Sequence, residues 1–253
     1  MTRRITARAL FLLFCLALFS VADSALAQRF WFPGGLWSSD CGYNAVSRPT
    51  ADYVGTRRAM FNGEDLTGWT NVEGKEPGAG WKVVDGCIFR ESGGGDLYAE
   101  GEYENFIWEF EFKLAEKGNS GVKYRSWNKT GWGMGCEYQI YDDINDAKNP
   151  PRYQTGALYD VIEPREGAPK IKMGEFNKGK IVVLGNHIEH YLNGELVMST
   201  DVGSDAWNEG VAKSKFKDVK EFGVTTIGRV FLQDHNCQVW FKNIYMTELK
   251  PTR

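Results

Sequence analysis

The segment "GCEYQIYDD" (135–143) carries polar groups that could do chemistry at every second position. These groups are a carboxylate, an amide and a phenol, namely Glu137, Gln139 and Tyr141. The residues between them, Tyr138 and Ile140, are large and apolar, and strict alternation of this kind predicts a β-strand with one buried face. Two residues of a strand span about 6.6–6.8 Å, a spacing that suits a sugar ring. We therefore predict that Glu137 and Gln139 line an open groove, whereas Asp142 and Asp143 either join it or end the strand in a turn.

Histidine is the natural general base at neutral pH, and the sequence contains three. His235 follows Asp234 in "FLQDH", at the predicted end of a strand, where functional groups are common. His190 shares its parity with two apolar neighbours, which is typical of a core histidine with a hydrogen-bond partner; a catalytic role is the alternative. His187 flanks a predicted turn and is expected at the surface. His190 and His235 are thus the candidate catalytic histidines.

Further candidates come from polar and aromatic residues elsewhere in the chain. Arg125 shares the parity of Lys123 and Gly121, so we expect it on a polar face, either solvated or in reach of an oxyanion or sugar hydroxyl. Trp132, in the glycine-rich "GWGMG", is a candidate lid that stacks on a sugar. Tyr159, in "GALYD", is a candidate proton donor. The remaining candidates for substrate binding are Gln139, Tyr141, Gln233 and Asp234.

Several classes of protein find no support in the sequence. It has no glycine-rich phosphate loop, no GxSxG and no HExxH, so nucleotide cofactors and serine-hydrolase or zinc-protease chemistry are not indicated. The net charge of -3, with both signs mixed, argues against nucleic acid or anionic membrane as a partner. The nine Trp and eleven Tyr either fill a large aromatic core or include sugar-stacking residues.

The elements that must position these groups are short alternating segments separated by turn signals. The dipeptide Asp85-Gly86 predicts a tight hairpin, and a loss of alternation near Lys242-Asn243 predicts a bulge. A short helix is expected within 204–216. The predicted strand regions are 81–90, 106–114, 119–126, 136–141, 155–162, 178–200, 228–234 and 237–249. Many strands at short spacing predict an all-β protein, an antiparallel sandwich or barrel.

The first 27 residues are typical of a secretory signal peptide. Arginines precede an apolar run that is too short to span a bilayer, and "ALA" ends at Ala27, where we expect cleavage. The sequence therefore predicts a secreted or periplasmic protein. We divide the remainder into an extended N-terminal segment (28–56) and one β domain (57–253). Four cysteines would remain, Cys41, Cys87, Cys136 and Cys237, and their three possible pairings stay open.

Seven motifs in order resemble those of the 3-keto-disaccharide hydrolase domain family. The resemblance runs from about Met60 to Leu249 and implies a concanavalin A-like, laminarinase-like jelly roll of two antiparallel sheets. One departure is Asp160, where the family more usually has Gly. The motifs are "MFNGEDLTGW" (60–69), "GNSGVKYR" (118–125), "GCEYQIYDD" (135–143), "QTGALYDVIEP" (154–164), "GNHIEHYLNG" (185–194), "FLQDH" (231–235) and "VWFKNIYM" (239–246).

The resemblance also implies a substrate class, the 3-keto-glycosides. A ketone at C3 makes the C2 hydrogen acidic, so a base can remove it, the C1 substituent can leave by elimination, and water can add back. A hydrogen bond donor or a divalent metal could stabilise the ketone oxygen. Glu137, His190 and His235 are the candidate metal ligands. Another enzyme, a nicotinamide-dependent glycoside 3-oxidoreductase, is the implied pathway partner.

Two other functions remain open at this point. The first is a carbohydrate-binding module without chemistry, since the same fold hosts both. The second is a conventional laminarinase-type glycosidase, which needs two carboxylates flanking the bond. Glu137 is the one carboxylate on the groove parity of its strand before the strand ends, and Gln139 occupies the place where a second would be expected.

Overall fold

Strands make up most of the regular structure of the computed structural model, which describes residues 53–127 and 134–252. A short 3₁₀ turn lies at Pro151–Tyr153, and the helix α1 spans Asp205–Lys213. The strands are β1 (Tyr53–Val54), β2 (Arg57–Ala59), β3 (Trp69–Thr70), β4 (Trp81–Val84), β5 (Cys87–Arg90), β6 (Leu97–Ala99), β7 (Phe106–Leu114), β8 (Asn119–Ser126), β9 (Cys136–Tyr141), β10 (Asn177–Leu184), β11 (His187–Leu192), β12 (Glu195–Asp201), β13 (Arg229–Leu232), β14 (Val239–Glu248) and β15 (Lys250–Pro251).

Two antiparallel sheets enclose the core. The eight-stranded sheet has the order β12-β11-β10-β7-β14-β5-β4, and β2 also pairs with β14. The five-stranded sheet has the order β3-β6-β13-β8-β9, while β1 and β15 form a separate pair. This architecture confirms the predicted all-β concanavalin A-like jelly-roll sandwich.

Alternation along the strands decides which side chains fill the space between the sheets. In β7 the apolar residues at every second position are all buried: Phe106, Trp108, Phe110, Phe112 and Leu114. In β9 the residues that join the same cluster are Cys136, Tyr138 and Ile140, all fully buried. Burying large apolar and aromatic side chains from two facing sheets is the main stabilising contribution in such a sandwich.

Residues in the left-handed region of backbone space form the predicted turns. Asp85 and Gly86 have φ of 51° and 70° between β4 and β5, as a two-residue hairpin turn requires. The predicted bulge in β14 is also present, since the register shifts between Lys242 and Tyr245, and Asn243 has a φ of 49°. The helix begins where expected because the Ser204 side chain accepts a hydrogen bond from the Trp207 N–H.

The predicted strand at 155–162 is wrong. This segment is a compact loop that lies along the open edge of β9, where Gly156 N–H donates to the Gln139 carbonyl at 2.9 Å. Gly156 and Asp160 have φ of 85° and 64°, and left-handed residues so close together interrupt an extended strand. The loop still covers the sheet edge and thereby satisfies its backbone groups.

Some predictions lie outside the described residues. These are the signal peptide, the N-terminal segment up to residue 52, Cys41 and Trp132. The cysteines that the structure describes, Cys87, Cys136 and Cys237, are free thiols. Within residues 53–127 and 134–252, no helix is long and apolar enough to cross a membrane.

Candidate functional site

Four strands of the five-stranded sheet align a row of side chains on the face turned away from the core. Glu137 of β9 lies opposite Lys123 of β8, Lys123 lies opposite Phe231 of β13, and Phe231 lies opposite Tyr98 of β6. Residues that pair across neighbouring strands share a face of the sheet. Since Tyr138 points into the core, the predicted register of β9 is confirmed, and this row is the floor of the candidate site.

Glu137, on the edge strand β9, is held in this floor by three neighbours. Its Oε2 lies 3.4 Å from Lys123 Nζ. The Gln139 amide donates to Glu137 Oε1 at 3.2 Å and to the Ser120 carbonyl at 3.0 Å in the orientation that satisfies both groups. Gly121 leaves space for the carboxylate, because a β-carbon there would lie 2.6 Å from Oε1. Glu137 and Gln139 are only 5% and 2% exposed, so this part of the face is more enclosed than the predicted open groove.

Tyr159 and Lys215 lie on the outer flank of Glu137, beyond the edge of β9. The Tyr159 N–H donates to the Glu137 carbonyl at 3.0 Å, and Lys215 Nζ lies 4.4 Å from the centre of the Tyr159 ring. Burial raises the pKa of Tyr159 to about 12, and the charges of Glu137 and Asp160 act in the same direction. Burial lowers the pKa of Lys215, and the charge of Lys123 adds to this effect while Glu137 opposes it.

Asp96 and Gln233 lie on the inner flank of Glu137, which is the side towards the middle of the sheet. They share the face of Tyr98 and Phe231, two residues away from them along the chain. Asp96 precedes β6 and has the parity of Tyr98, while Gln233 N–H donates to the Gly121 carbonyl at 2.9 Å. Burial raises the pKa of Asp96, and the charges of Asp234 and Glu137 contribute, whereas the Asp234 N–H and Lys123 oppose the shift. Gln233 Oε1 is buried and has no hydrogen-bond partner among the described residues.

Asp234 connects Asp96 to the neighbouring residues Arg90 and Gly95. Its carboxylate forms a buried ion pair with Arg90 and accepts a hydrogen bond from Gly95 N–H at 3.0 Å. Its own N–H donates to Asp96 Oδ1 at 2.9 Å. Asp234 was a candidate for substrate binding, but its engaged carboxylate favours a positioning role instead.

His235 and Tyr141 lie at one end of the face. His235 is exposed, and its Nε2 lies 3.4 Å from Asn119 Nδ2. Asn119 pairs in register with Tyr141, whose hydroxyl donates to Asp146 at 2.8 Å. His235 is therefore at the rim of the site, while the Tyr141 hydroxyl is already bound at the end of its strand.

His190 lies between the sheets, which contradicts its predicted catalytic and metal-binding roles. The ring is fully buried, its Nδ1 donates to the Gly156 carbonyl at 3.0 Å, and the Tyr124 hydroxyl donates to its Nε2 at 2.8 Å. Burial lowers the pKa of His190 to about 3. Both ring nitrogens are engaged, so the core alternative is correct.

Arg125 does not lie on the polar face with Lys123, so that prediction is wrong. It has a φ of 52°, is 1% exposed, and donates to the carbonyls of Gly185 and Gly223. A left-handed residue breaks the alternation of β8, which turns the guanidinium towards these backbone groups. His187 is likewise buried rather than exposed, and binds Asp201 at 2.8 Å.

The acidic end of β9 forms a turn. Asp142 accepts hydrogen bonds from the N–H groups of Lys117 and Asn145, at 2.7 and 3.0 Å, and Asp143 accepts one from Thr155 at 2.9 Å. Both carboxylates therefore accept backbone hydrogen bonds in a turn that ends the strand, which is one of the two alternatives predicted from the sequence. A carboxylate that accepts several N–H bonds is a common way to end a strand.

The predicted metal ligands do not converge. His190 is enclosed in the core and His235 lies at the rim, apart from Glu137. In the described parts of the chain, no three His, Cys, Asp or Glu side chains are grouped so that they could hold a metal ion. The candidate set Glu137, His190 and His235 is therefore wrong as a metal site.

Lys215 and Asp96 are two further site residues that, like Lys123, are not among the candidates from the sequence. Lys215 follows α1 and reaches the site from a distant part of the chain. Asp96 precedes a strand of only three residues, which is too short for a pattern of alternation to be recognised. The available signal for Asp96 was its position after three glycines, Gly93 to Gly95, each with positive φ.

Comparison with solved structures supports a glycoside hydrolase-like class for this jelly roll and its polar face. A candidate glycosyl hydrolase from Parabacteroides distasonis is 30% identical, with a TM-score of 0.69 over 77% of this chain and 94% of that chain. A second candidate glycosyl hydrolase from the same species is 26% identical, with a TM-score of 0.60 over 76% of this chain and 99% of the other.

The family follows from two further comparisons. The model of the family described as the 3-keto-alpha-glucoside-1,2-lyase-like domain matches residues 56–247, and the chain belongs to this family. A 3-keto-disaccharide hydrolase from Bacteroides thetaiotaomicron is 32% identical over 222 residues, which cover 73% of this chain and 76% of the relative.

Proposed function

We propose that this protein cleaves 3-keto-glycosides by removing the proton at C2, with Glu137 as the base. The observation that carries the proposal is the enclosed Glu137 carboxylate, paired with Lys123 at 3.4 Å on the outer face of the sheet. A non-catalytic binding module has no need of such a buried carboxyl group paired with a lysine, since aromatic and amide side chains suffice to bind a sugar. Family membership supports the same substrate class.

The first step is proton transfer from C2 to Glu137. The neighbouring ketone at C3 acidifies this C–H bond, and the electron pair moves into an enolate whose charge lies on the C3 oxygen. In this proposal the Tyr159 hydroxyl and the Lys215 ammonium, which lies 4.4 Å from the centre of the Tyr159 ring, stabilise that oxygen. Donors fixed before the reaction are effective because they need no reorganisation when charge develops.

The second step is elimination. The enolate re-forms the ketone, the C1–O bond breaks, and the departing oxygen takes a proton. Water then adds at C1 while Glu137 returns its proton to C2, so the sum of the steps is hydrolysis. This route does not need two carboxylates flanking an oxocarbenium ion, as a conventional glycosidase does.

The test is product analysis on a matched pair of substrates. We expect the purified protein to cleave a 3-keto-disaccharide and to leave the unoxidised parent intact. Deuterium at C2 should slow the reaction or exchange into solvent. Equal cleavage of both sugars would identify a conventional glycosidase, and binding of both without cleavage would identify a binding module. A parallel reaction with a chelator tests for a metal ion.

We also propose a cellular location for this protein. Residues 1–27 have the charge and hydropathy pattern of a secretory signal, so the protein would act in the periplasm or outside the cell. Its substrate must be supplied by an oxidation at C3 of the parent glycoside, for which a nicotinamide-dependent oxidoreductase is the partner. N-terminal sequencing of secreted protein should give Gln28 as the first residue.

A further inference from the structure

The order of atoms in the sugar ring constrains the order of groups in the site. C2 lies between C1, which carries the departing oxygen, and C3, which carries the ketone. A base at C2 therefore needs an acid on one side and an oxyanion donor on the other. Glu137 has Tyr159 and Lys215 on its outer flank, beyond the edge of β9. On the other side of Glu137, towards the middle of the sheet, lie Lys123, Gln233 and Asp96, which we call its inner flank.

We propose that Asp96 is the general acid that protonates the departing glycosidic oxygen, and that Gln233 binds the leaving sugar. This assignment rests on the proposed function and places C1 over the inner flank and the C3 oxygen beside Tyr159. Asp96 gives its proton as the C1–O bond breaks and becomes a carboxylate. It regains a proton from the water that then adds at C1, so the cycle is balanced.

The hydrogen bonds around Asp96 leave one oxygen available for this role. Oδ1 accepts the Asp234 N–H at 2.9 Å, which leaves Oδ2 as the oxygen that would carry the transferable proton. The neighbouring Gln233 Oε1 is buried without a partner among the described residues. A buried polar atom without a partner is costly, and a sugar hydroxyl or water would satisfy it.

The electrostatic environment supports the division of roles between the two carboxyl groups. Burial, together with the charges of Asp234 and Glu137, raises the pKa of Asp96 and favours its protonated form. Glu137, by contrast, forms an ion pair with Lys123, whose Nζ lies 3.4 Å from Glu137 Oε2. Two carboxyl groups in contrasting environments are the usual arrangement of an acid and a base in one site. Tyr159 is the alternative donor, but it lies on the outer flank.

The anchoring of Asp96 explains the charged and glycine-rich residues around it. Gly93 to Gly95 all have positive φ. They turn the chain directly before Asp96, which is followed by β6. Arg90 and Gly95 hold the Asp234 carboxylate, and Asp234 holds Asp96 through its N–H. Arg90 and Asp234 are thus positioning residues for the acid.

The test uses two 3-keto-glucosides with different leaving groups. A nitrophenolate departs without a proton, whereas a sugar alkoxide needs one. We expect Asp96→Asn to lose about 100-fold or more in kcat/KM on the 3-keto-disaccharide and to retain most of its activity on the nitrophenyl 3-keto-glucoside. C2 hydrogen exchange should persist. The Asn variant can still accept the Asp234 N–H, so the loop should keep its position.

Tyr159→Phe is the matched control from the outer flank. It should slow both substrates and C2 exchange to a similar extent, because the enolate precedes loss of either leaving group. Asp96→Asn would overturn the assignment if it slowed both substrates equally or neither. Wild-type protein that neither cleaves nor exchanges these substrates would overturn the proposed function itself.

A measurement on wild-type protein guards against a variant that fails to fold. The pH profile of kcat/KM should fall on the alkaline side for the disaccharide, as the acid loses its proton, and should lack that limb for the nitrophenyl substrate. Identical profiles for the two substrates would contradict a general acid on the leaving-group side.

Discussion

At the scale of single residues, the position of the Glu137 carboxylate depends on the absence of a side chain at Gly121. A β-carbon at Gly121 would lie 2.6 Å from Glu137 Oε1, which is inside van der Waals contact. The atom it meets is the end of a flexible side chain, so Glu137 can rotate away. A glycine in a paired strand usually lowers stability, and at position 121 it provides the space that the Glu137 carboxylate occupies.

Gly121→Ala should therefore reduce activity far more than stability. We expect kcat to fall at least about 100-fold, because a carboxylate displaced by about 1 Å is a poor base. The free energy of unfolding should change by no more than about 1 kcal/mol, since Ala is favoured over Gly in a strand. The measurements are steady-state kinetics and urea denaturation. In a Glu137→Gln background the same change should have little further effect on kcat, and additive losses would contradict the mechanism.

Glu137→Gln should remove the catalytic base while it preserves the size and shape of the side chain. We expect turnover of 3-keto-disaccharide to fall about 100- to 10,000-fold with a much smaller change in substrate affinity. Glu111→Gln is the matched control, because Glu111 pairs with Lys242 at 3.9 Å on the other sheet. The hypothesis fails if the two variants lose activity to the same extent.

Residue roles could be predicted from sequence only where the strand pattern was regular. Glu137 and Gln139 follow from unbroken alternation in β9. Arg125 could not be placed, because a single left-handed residue reverses the direction of its side chain. His190 has the parity of the core, and its burial could be predicted, but its bonds to Tyr124 and Gly156 depend on the packing of the two sheets.

At the scale of elements, the loop along β9 connects the site to the segment after α1. Asp160 adopts a left-handed conformation with φ of 64°. Its carboxylate accepts the Lys215 N–H at 2.8 Å and lies 3.2 Å from Arg152 Nε. The departure from the more usual Gly therefore adds an anchor for the segment that carries Lys215, while the backbone keeps a conformation that suits glycine.

Replacement of Asp160 should separate these two effects. We expect Asp160→Ala to be less stable than Asp160→Gly by about 1 kcal/mol, because only Ala keeps a β-carbon in the left-handed conformation. Both variants should raise KM for the 3-keto-disaccharide, since both release the Lys215 segment. Urea denaturation and kinetics measure the two quantities. A Gly variant less stable than the Ala variant would show that the strain is absent.

Elements were predictable where turn chemistry and strand period agreed. The hairpin at Asp85-Gly86 and the bulge at Asn243 have strong local signals and were found at their predicted places. For the loop at 155–162 the sequence predicts a strand, because the segment is rich in apolar residues and lies between turn signals. Its actual path is decided by left-handed backbone at Gly156 and Asp160, and by hydrogen bonds to the edge of β9 that form only in the folded protein.

At the scale of the whole molecule, the two sheets have different tasks. The five-stranded sheet carries the candidate site on its outer face, and the eight-stranded sheet supports it from behind. His190 of β11 connects them, since it bonds Tyr124 of β8 and packs 4.8 Å from the Tyr138 ring of β9. The neutral imidazole is therefore part of the contact between the layers, directly behind the strands that carry Lys123 and Glu137.

This contact makes the stability of the sandwich depend on pH. His190 has a pKa of about 3 in the folded protein, against a model-peptide value of 6.5. Between these values the unfolded chain binds the proton and the folded one does not. The His190 contribution is thus complete above pH 6.5 and is lost as pH falls towards 3, by about 1.4 kcal/mol per pH unit.

His190→Gln should remove this dependence. Glutamine offers a donor and an acceptor but takes up no proton, so the variant should be less stable than wild type at pH 7 and should lose less stability between pH 6.5 and 4. Urea denaturation at a series of pH values gives the difference between the two proteins, in which the contributions of all other titrating groups largely cancel. Parallel pH curves would mean that the His190 imidazole becomes protonated without leaving the core, and would contradict its role as a neutral link between the sheets.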